Sequence, residues 1–175
     1  MIVLYIILGI IAAILLLALV VPRGISARKE IVINRPLGEV FDFIKHLKNQ
    51  QLYSKWATLD PNIKNEFTGT DAQPGFVNKW WGNKKVGEGE QEILAVMEGK
   101  SLTTELRFIK PFKSLAKAEM TTEAVGANST KVSWGFESNM NYPMNIMKLF
   151  MNMSEMVGKD FSIGLQNLKT LMEKS

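Results

Sequence analysis

The chain has 175 residues, with 21 basic and 17 acidic side chains and a formal net charge of +4. The charges are scattered and form no basic tract, so the composition does not favour nucleic-acid binding. There is no cysteine, which excludes disulfides and fits a reducing compartment without requiring one.

The N-terminal segment is long and apolar. Residues 1–21 carry no charged side chain and consist almost entirely of Ile, Leu, Val and Ala. As a helix they would span about 31 Å, close to the roughly 30 Å hydrocarbon core of a bilayer. A cleaved signal peptide is the main alternative, but it would need a basic n-region, a shorter apolar core and a small-x-small cleavage site. We therefore predict an uncleaved transmembrane anchor over residues 1–22 and a juxtamembrane linker over residues 23–26.

The charges that flank this segment indicate its orientation. Arg23, Arg28 and Lys29 follow the span, whereas only the terminal amine precedes it. By the positive-inside rule, the single-pass anchor places the rest of the chain on the cytoplasmic side. What remains is about 150 residues, the usual size of one domain with its own core.

The domain is predicted to begin with a strand and a short helix. Residues 26–33 are typical of a strand, and Pro36 suits the first turn of a helix that Asn34 could cap. Apolar residues at helical spacing then predict an amphipathic helix over residues 37–48. They are Val40, Phe41, Ile44 and Leu47. One or two further helical turns are expected to end near Trp56.

The middle of the chain consists of short segments separated by turn signals such as Pro74-Gly75 and Gly82-Asn83. Regular spacing of this kind is typical of an antiparallel meander. Six strands are predicted, over residues 64–68, 76–81, 87–97, 102–109, 116–124 and 131–139. Apolar and polar residues alternate from Lys131 to Glu137, so one face of the sheet is apolar and needs a cover.

The cover is the last segment of the chain. Pro143 is expected to begin a helix that runs to about Glu173, with apolar residues at spacings of three and four. They are Met147, Met151, Phe161, Leu165, Leu168 and Met172. Gly158 and Gly164 cost about 1 kcal/mol each relative to alanine in such a helix, which indicates that space is needed there for close sheet contact or for a ligand. The elements together predict an α+β fold, a curved antiparallel sheet wrapped around a long C-terminal helix.

Three segments carry a family resemblance. They are I-V-I-N-R-P-L-G-E-V-F-D-F-I (residues 31–44), F-V-N-K-W-W-G-N-K-K-V-G-E-G-E-Q-E-I (residues 76–93) and V-G-K-D-F-S-I-G-L-Q-N-L-K (residues 157–169). With the order of elements, they resemble the helix-grip fold of the START, polyketide-cyclase and ligand-binding superfamily known as SRPBCC. The likeness covers about residues 27–174, and we assign the domain to residues 27–175.

The resemblance implies a cavity between sheet and helix, in which superfamily members bind lipids, sterols, polyketides and related apolar molecules. Seven of the ten methionines lie between Met140 and Met172, and methionine is flexible enough to line a cavity that accepts several ligand shapes. Ten residues are expected to line this cavity. They are Trp80, Leu106, Phe108, Met120, Trp134, Phe136, Met147, Met151, Phe161 and Leu165. The same stripe of Met and aromatic residues is also typical of an ordinary core.

Candidates for catalysis are few. The only histidine, His46, has the sequence context of a solvated helix end, where it complements the helix dipole. Glu88, Glu90 and Glu92 alternate along one predicted strand and therefore project from one face, which is more typical of a solvent-facing row than of an acid–base or cation site. No catalytic constellation, metal site or cofactor is predicted.

The sequence thus favours a membrane-tethered, non-enzymatic module that binds or transfers a lipid-like or polyketide-like molecule. Two alternatives remain open: a cyclase- or dehydratase-like enzyme that uses carboxylates in the cavity, and a chaperone-like module with a protein client. Trp80 and Trp81 precede two lysines and could stack bases, but neighbouring strand residues point to opposite faces, so only one of them can face the cavity. No nucleic-acid partner is predicted.

Overall fold

The computed structural model describes residues 1–174. An apolar helix, α1 (Ile2–Val20), is followed by one antiparallel sheet and a long C-terminal helix. The strands are β1 (Gly24–Ile33), β2 (Lys64–Thr68), β3 (Val77–Trp81), β4 (Glu88–Met97), β5 (Ser101–Lys110), β6 (Ser114–Gly126) and β7 (Ser129–Asn139). The other helices are α2 (Leu37–Lys45), α3 (Gln50–Tyr53) and α4 (Met153–Lys174), with 3₁₀ turns at Leu47–Asn49, Trp56–Thr58 and Met144–Leu149.

The sheet has the strand order β1-β7-β6-β5-β4-β3-β2, and every neighbouring pair is antiparallel. The meander predicted from the turn signals is therefore confirmed, because each strand from β2 to β6 pairs with the next strand along the chain. β1 pairs with β7 and completes the sheet on that side. The architecture is the predicted α+β helix-grip fold, preceded by an apolar helix.

The main core lies where α2 and α4 pack on the β1, β7 and β6 side of the sheet. The ring of Trp134 on β7 stacks on Phe161 of α4, with centroids 4.4 Å apart and planes 10° apart. A Cβ on Gly164 would lie 2.9 Å from the Trp134 ring, so this glycine allows α4 to approach the sheet closely. Of the two reasons considered for a glycine in this helix, close sheet contact therefore applies at Gly164.

The sheet begins earlier than the sequence suggests. β1 starts at Gly24, which pairs with Asn139 at the end of β7, so residues 24–26 belong to the sheet and not to a linker. Only Val21, Pro22 and Arg23 separate α1 from β1. The domain is thus joined to the apolar helix almost directly.

The predicted helix starting at Pro143 is wrong over its first ten residues. That stretch contains a 3₁₀ turn, and α4 begins only at Met153. The side chain of Asn152 accepts a hydrogen bond from the backbone N–H of Glu155 at 3.1 Å, which is the N-cap arrangement that starts a helix. The chain before this cap is held against α1 instead of continuing the helix.

Candidate ligand-binding cavity

A cavity of about 750 Å³ lies between the sheet, the segment around α3 and the N-terminal part of α4. This volume falls within the roughly 300–1,000 Å³ typical of small-molecule sites. Most of the wall is apolar or aromatic. The side chains concerned include Trp56, Trp80, Leu106, Phe108, Ala118, Trp134, Phe136, Met140, Met144, Met147, Met153, Val157 and Phe161.

Seven of the ten residues predicted to line the cavity lie on its wall. They are Trp80, Leu106, Phe108, Trp134, Phe136, Met147 and Phe161. Met120 and Leu165 lie instead in the main core, beside Trp134 and away from the cavity. Met151 is 37% exposed and lies outside the cavity, because the helix that was expected to direct it inward does not extend that far.

The tryptophan-glycine signature of the sequence builds the aromatic wall. Trp80 extends over Gly89 on the neighbouring strand, where a Cβ would lie 2.4 Å from the indole ring. Its ring meets Phe108 edge-to-face, with centroids 5.9 Å apart and planes 78° apart. Trp81 is exposed and does not line the cavity. As expected from strand alternation, one of the two adjacent tryptophans faces inward.

One part of the wall is polar, and this part was not predicted from the sequence. Asn65 on β2, Asn78 on β3 and Gln91 on β4 all line the cavity. The side-chain amide of Gln91 donates to the hydroxyl of Thr104 at 3.1 Å. The position of Asn78 could have been predicted from strand alternation. Asn78 is two residues from Trp80 on β3 and therefore shares its inward face.

The three alternating glutamates lie on the opposite face of the sheet. Arg107 donates hydrogen bonds to Glu90 at 3.2 Å, to Glu92 at 2.8 Å and to Glu105 at 2.8 Å. The hydrogen bond to Glu92, followed by those to the other two carboxylates, raises the pKa of Arg107 above its ordinary value. Glu88 pairs with Lys110 at 2.8 Å. These carboxylates are therefore held in ion pairs and none of them lines the cavity, although Lys110, the partner of Glu88, does.

The charged residues that line the cavity are all lysines, namely Lys85, Lys110 and Lys113. No Asp, Glu or His side chain from residues 1–174 lines it. His46 lies elsewhere, with its Nδ1 3.7 Å from a carboxylate oxygen of Asp71. No cluster of His, Cys, Asp and Glu suited to a metal ion occurs among the described residues. The alternative of an enzyme using cavity carboxylates thus has no carboxylate in this part of the chain to use.

The C-terminal end of α1 is hydrogen-bonded to the domain. The hydroxyl of Tyr142 donates to the carbonyl of Leu15 at 3.1 Å. The side-chain amide of Asn145 donates to the carbonyls of Ala18 at 2.6 Å and Val21 at 2.8 Å, and Asn145 is completely buried. The last two turns of α1 are therefore contacted by the segment that also contributes Met144 and Met147 to the cavity wall. α1 is the one helix in the described chain that is long and apolar enough to cross a membrane.

Comparison with known proteins agrees with this architecture. Residues 24–173 match the family described as polyketide cyclase / dehydrase and lipid transport. A comparison with curated proteins found no significant match.

Several solved structures share the fold. Norcoclaurine synthase from Thalictrum flavum, solved in complex with dopamine and hydroxybenzaldehyde, is 11% identical with a TM-score of 0.61, over 89% of this chain and 90% of that one. Ara h 8.0201 is 13% identical with a TM-score of 0.58, over 87% and 99%. A protein from Nitrosospira multiformis is 14% identical with a TM-score of 0.61, over 84% and 95%. At these identities the likeness establishes the fold alone.

Proposed function

Because the chain belongs to the polyketide cyclase / dehydrase and lipid transport family, we propose that it is a membrane-tethered module that binds or transfers a hydrophobic small molecule. The observation that carries the proposal is the cavity of about 750 Å³ with its largely aromatic and aliphatic wall. Affinity would come from apolar burial, about 25 cal/mol for each Å² removed from water. The few polar groups would fix the orientation of the ligand.

The methionines of the wall favour a site that adapts to its ligand. Met140, Met144, Met147 and Met153 line the cavity from the irregular segment before α4 and from the first residue of that helix. Methionine side chains are unbranched and polarizable, so they can repack around molecules of different shape. This supports binding of a class of related apolar molecules over recognition of a single rigid one.

The attachment of α1 supports a retained membrane anchor. The helix has 19 residues and is about 28 Å long at 1.5 Å per residue, which suits a hydrocarbon core of roughly 30 Å. Removal of α1 as a signal peptide would deprive the buried Asn145 amide of the carbonyls of Ala18 and Val21, which are its two acceptors. An unpaired buried donor is costly. We therefore propose that α1 remains part of the mature protein and spans the bilayer.

A spanning α1 would place one end of the cavity at the membrane. Phe112 lines the cavity and is also 62% exposed, so the cavity reaches the surface at the turn between β5 and β6. Tyr142 contacts Leu15 within α1, and Phe150 of the same segment is 82% exposed. Tyrosine is enriched at membrane–water interfaces, which suits the position of Tyr142. Ligands would then pass between bilayer and cavity without crossing bulk water.

The binding proposal is tested on the full chain extracted from its host in mild detergent, with bound apolar molecules identified by mass spectrometry. Met147→Trp places a large ring in the cavity, whereas Met151→Trp places the same ring outside it and serves as the matched control. We expect a stoichiometric apolar ligand in the wild type and in Met151→Trp, and its loss in Met147→Trp with an unchanged circular dichroism spectrum. An empty wild-type protein that also takes up no added lipid or sterol would overturn the proposal.

The tether and its orientation have a separate test. The chain has no cysteine, so Lys100→Cys, in the turn between β4 and β5, provides a single thiol on the domain. We expect the intact mass to retain residues 1–21, and a membrane-impermeant maleimide to label Cys only after lysis, as the proposed cytoplasmic location requires. Labelling of intact cells would reverse the orientation, and a mass lacking residues 1–21 would exclude the anchor.

A further inference from the structure

The positive charges of the cavity wall come from three lysines, and no carboxylate from residues 1–174 balances them on the wall. Lys110 is ion-paired at 2.8 Å with Glu88, which does not line the cavity. The ammonium groups of Lys85 and Lys113 have no hydrogen-bond or ion-pair partner in the described part of the chain. The described wall therefore has a net positive charge.

Two turns at one edge of the sheet bring these lysines to the same end of the cavity. Lys85 lies in the turn between β3 and β4, which the N–H of Gly82 closes by donating to the carbonyl of Gly87 at 2.9 Å. Lys110 ends β5, and Lys113 lies in the turn that follows. A Cβ on Gly87 would overlap the carbonyl oxygen of Lys110, so the backbones of the two turns are in direct contact.

The cavity opens to the surface between these lysines. Phe112 lies between Lys110 and Lys113 in the chain, lines the cavity and is 62% exposed. All three lysines are exposed. A lysine side chain lays its apolar stem along a hydrophobic wall and keeps its ammonium group in water. Lys85, Lys110, Phe112 and Lys113 thus form a positively charged opening, which we call the lysine mouth.

Hydrogen bonds connect the lysine mouth to α1. The side-chain amide of Asn141 donates to the carbonyl of Lys113 at 2.8 Å, and the hydroxyl of the next residue, Tyr142, donates to the carbonyl of Leu15 in α1. Leu15 is five residues before the end of α1 at Val20, about 8 Å along the helix. A spanning α1, as proposed above, would place the lysine mouth at the level of the lipid head groups, which carry negative charge in a cytoplasmic leaflet.

We propose that the lysine mouth is a subsite for the anionic head group, a carboxylate or phosphate, of an amphiphile whose apolar chain lies in the cavity against Trp80 and Phe108. Lys85 and Lys113 supply the unpaired positive charge, while Lys110 stays paired with Glu88. The inference rests on the proposed function and specifies its ligand class: anionic amphiphiles, in preference to neutral ones with the same chain.

The test is a competition between three molecules with the same sixteen-carbon chain: 1-hexadecanol, hexadecanoic acid and hexadecyl phosphate. The full chain in an uncharged detergent at pH 8 is equilibrated with an equimolar mixture, separated by gel filtration, and its bound molecules are quantified by mass spectrometry. The amount of each bound anion is divided by that of the alcohol, and this ratio is compared between variants, so that partitioning into the detergent cancels. The acid and the phosphate distinguish the two kinds of head group.

Two double variants assign the preference to the lysine mouth. Lys85→Gln with Lys113→Gln removes its unpaired charges, and Lys100→Gln with Lys174→Gln is the control with the same change in net charge. Neither control residue lines the cavity, and Lys100 precedes β5, about 30 Å from Lys110 at the other end of that strand. We expect the ratio for at least one anion to fall about three- to tenfold in the mouth variant at 0.05 M salt, the combined effect of two exposed charge pairs, and to stay unchanged in the control. The fall should be smaller at 0.5 M salt, because exposed charges are screened.

A further arm separates a head group from a free anion. Inorganic phosphate at 10 mM, added at constant ionic strength, should leave the ratio unchanged, because the ligand is held by its chain in the cavity as well as by its charge. A loss of the preference in inorganic phosphate would show that the lysine mouth takes free anions and would overturn the head-group assignment.

The outcomes separate this inference from the proposed function. Uptake of the three molecules with ratios that survive Lys85→Gln with Lys113→Gln, or that fall equally in the control, would overturn the subsite while leaving the binding function in place. If the mouth variant cannot be purified, Lys113→Gln alone is compared in the same way and should lower the ratio by a smaller factor. Uptake of none of the three molecules would count against the binding function itself.

Discussion

The side-chain amide of Asn145 donates to the backbone carbonyl of Ala18 at 2.6 Å, across a sequence separation of 127 residues. Carbonyls in the last turn of a helix have no partner within the helix. Here the domain supplies that partner, and a second hydrogen bond from the same amide reaches Val21 at 2.8 Å. The apolar helix and the domain that follows it are therefore coupled through their structure as well as through the chain.

Asn145→Leu should uncouple them. The substitution leaves the carbonyls of Ala18 and Val21 without their donor at a cost of about 1–3 kcal/mol. Hydrogen exchange of the full chain in detergent should then be faster over residues 16–24. Asn141→Ala is the control, because Asn141 bonds to Lys113 and not to α1. Equal exchange in Asn145→Leu and wild type would show that α1 is not held by this amide.

The glycines of two helices give opposite predictions for substitution by alanine. At Gly164 a Cβ would lie 2.9 Å from the buried ring of Trp134, which is itself stacked on Phe161. We expect overpacking of about 1–3 kcal/mol to exceed the gain of about 1 kcal/mol in helix propensity. Gly38 of α2 has no atom within 4 Å of such a Cβ, so Gly38→Ala should stabilise the protein by up to about 1 kcal/mol.

Denaturant unfolding of the two variants measures both effects. The midpoint should fall for Gly164→Ala and rise for Gly38→Ala, with an unchanged slope. A stable Gly164→Ala variant would mean that α4 can move away from the sheet. Close packing against Trp134 would then not explain the glycine at position 164.

The fold could be predicted from the sequence because its signals are local. Turn residues separate β2 to β7, and apolar alternation marks the inward face, so the strand assignments hold. The helix from Pro143 was wrong because its apolar spacing continues through residues 144–151, whereas tertiary contacts of Asn145 with α1 determine the structure there. A local signal was present at Asn152, whose N-x-x-E pattern with Glu155 is that of a capping box.

The residues that line the cavity could be predicted only in part, because tertiary contacts also decide which inward-facing residues reach it. Seven of the ten expected residues line it because inward-facing apolar positions follow from alternation. Alternation does not separate a cavity wall from a packed core, and Met120 and Leu165 belong to the core because α4 and the sheet close together at Gly164. The polar patch around Asn78 depends on register between three strands, which no single segment specifies.

Arg107 provides a test of the outer face of the sheet. Arg107→Met leaves Glu90, Glu92 and Glu105 without their shared cation, and like charges on neighbouring strands repel. We expect a loss of about 1–2 kcal/mol in the free energy of unfolding, smaller in 1 M salt than in 0.05 M because exposed charges are screened. The measurement is denaturant unfolding at both salt concentrations.

The same variant separates stability from function. Because the carboxylates around Arg107 face away from the cavity, Arg107→Met should retain the wild-type content of bound apolar molecules. Loss of the ligand from a folded Arg107→Met protein would contradict this placement. It would revive the alternative in which the glutamates of β4 act on a bound molecule.

Glu173 links the end of α4 to the end of β1 and predicts a pH dependence. The backbone N–H of Asn34 donates to a carboxylate oxygen of Glu173 at 2.7 Å, and Lys169 lies 3.5 Å from the same oxygen. The hydrogen bond from Asn34, more than the charge of Lys169, lowers the pKa of Glu173 below its ordinary value of 4.5. A carboxyl whose pKa is lower in the folded state stabilises the fold when ionised, so this contribution is present above pH 4.5 and is lost as the pH falls through the folded-state pKa.

Glu173→Gln should therefore lower the thermal midpoint at pH 7, since an amide oxygen is a weaker acceptor than a carboxylate. The difference from wild type should shrink as the pH is lowered below 4.5 towards the folded-state pKa of Glu173, because the stabilisation by the ionised carboxylate is lost between these two pKa values. Lys169→Met should have the smaller effect on this pH dependence, since the charge of Lys169 is the lesser cause of the lowered pKa. A difference between Glu173→Gln and wild type that stays constant from pH 6 to pH 3 would show that the ionised carboxylate does not stabilise this junction.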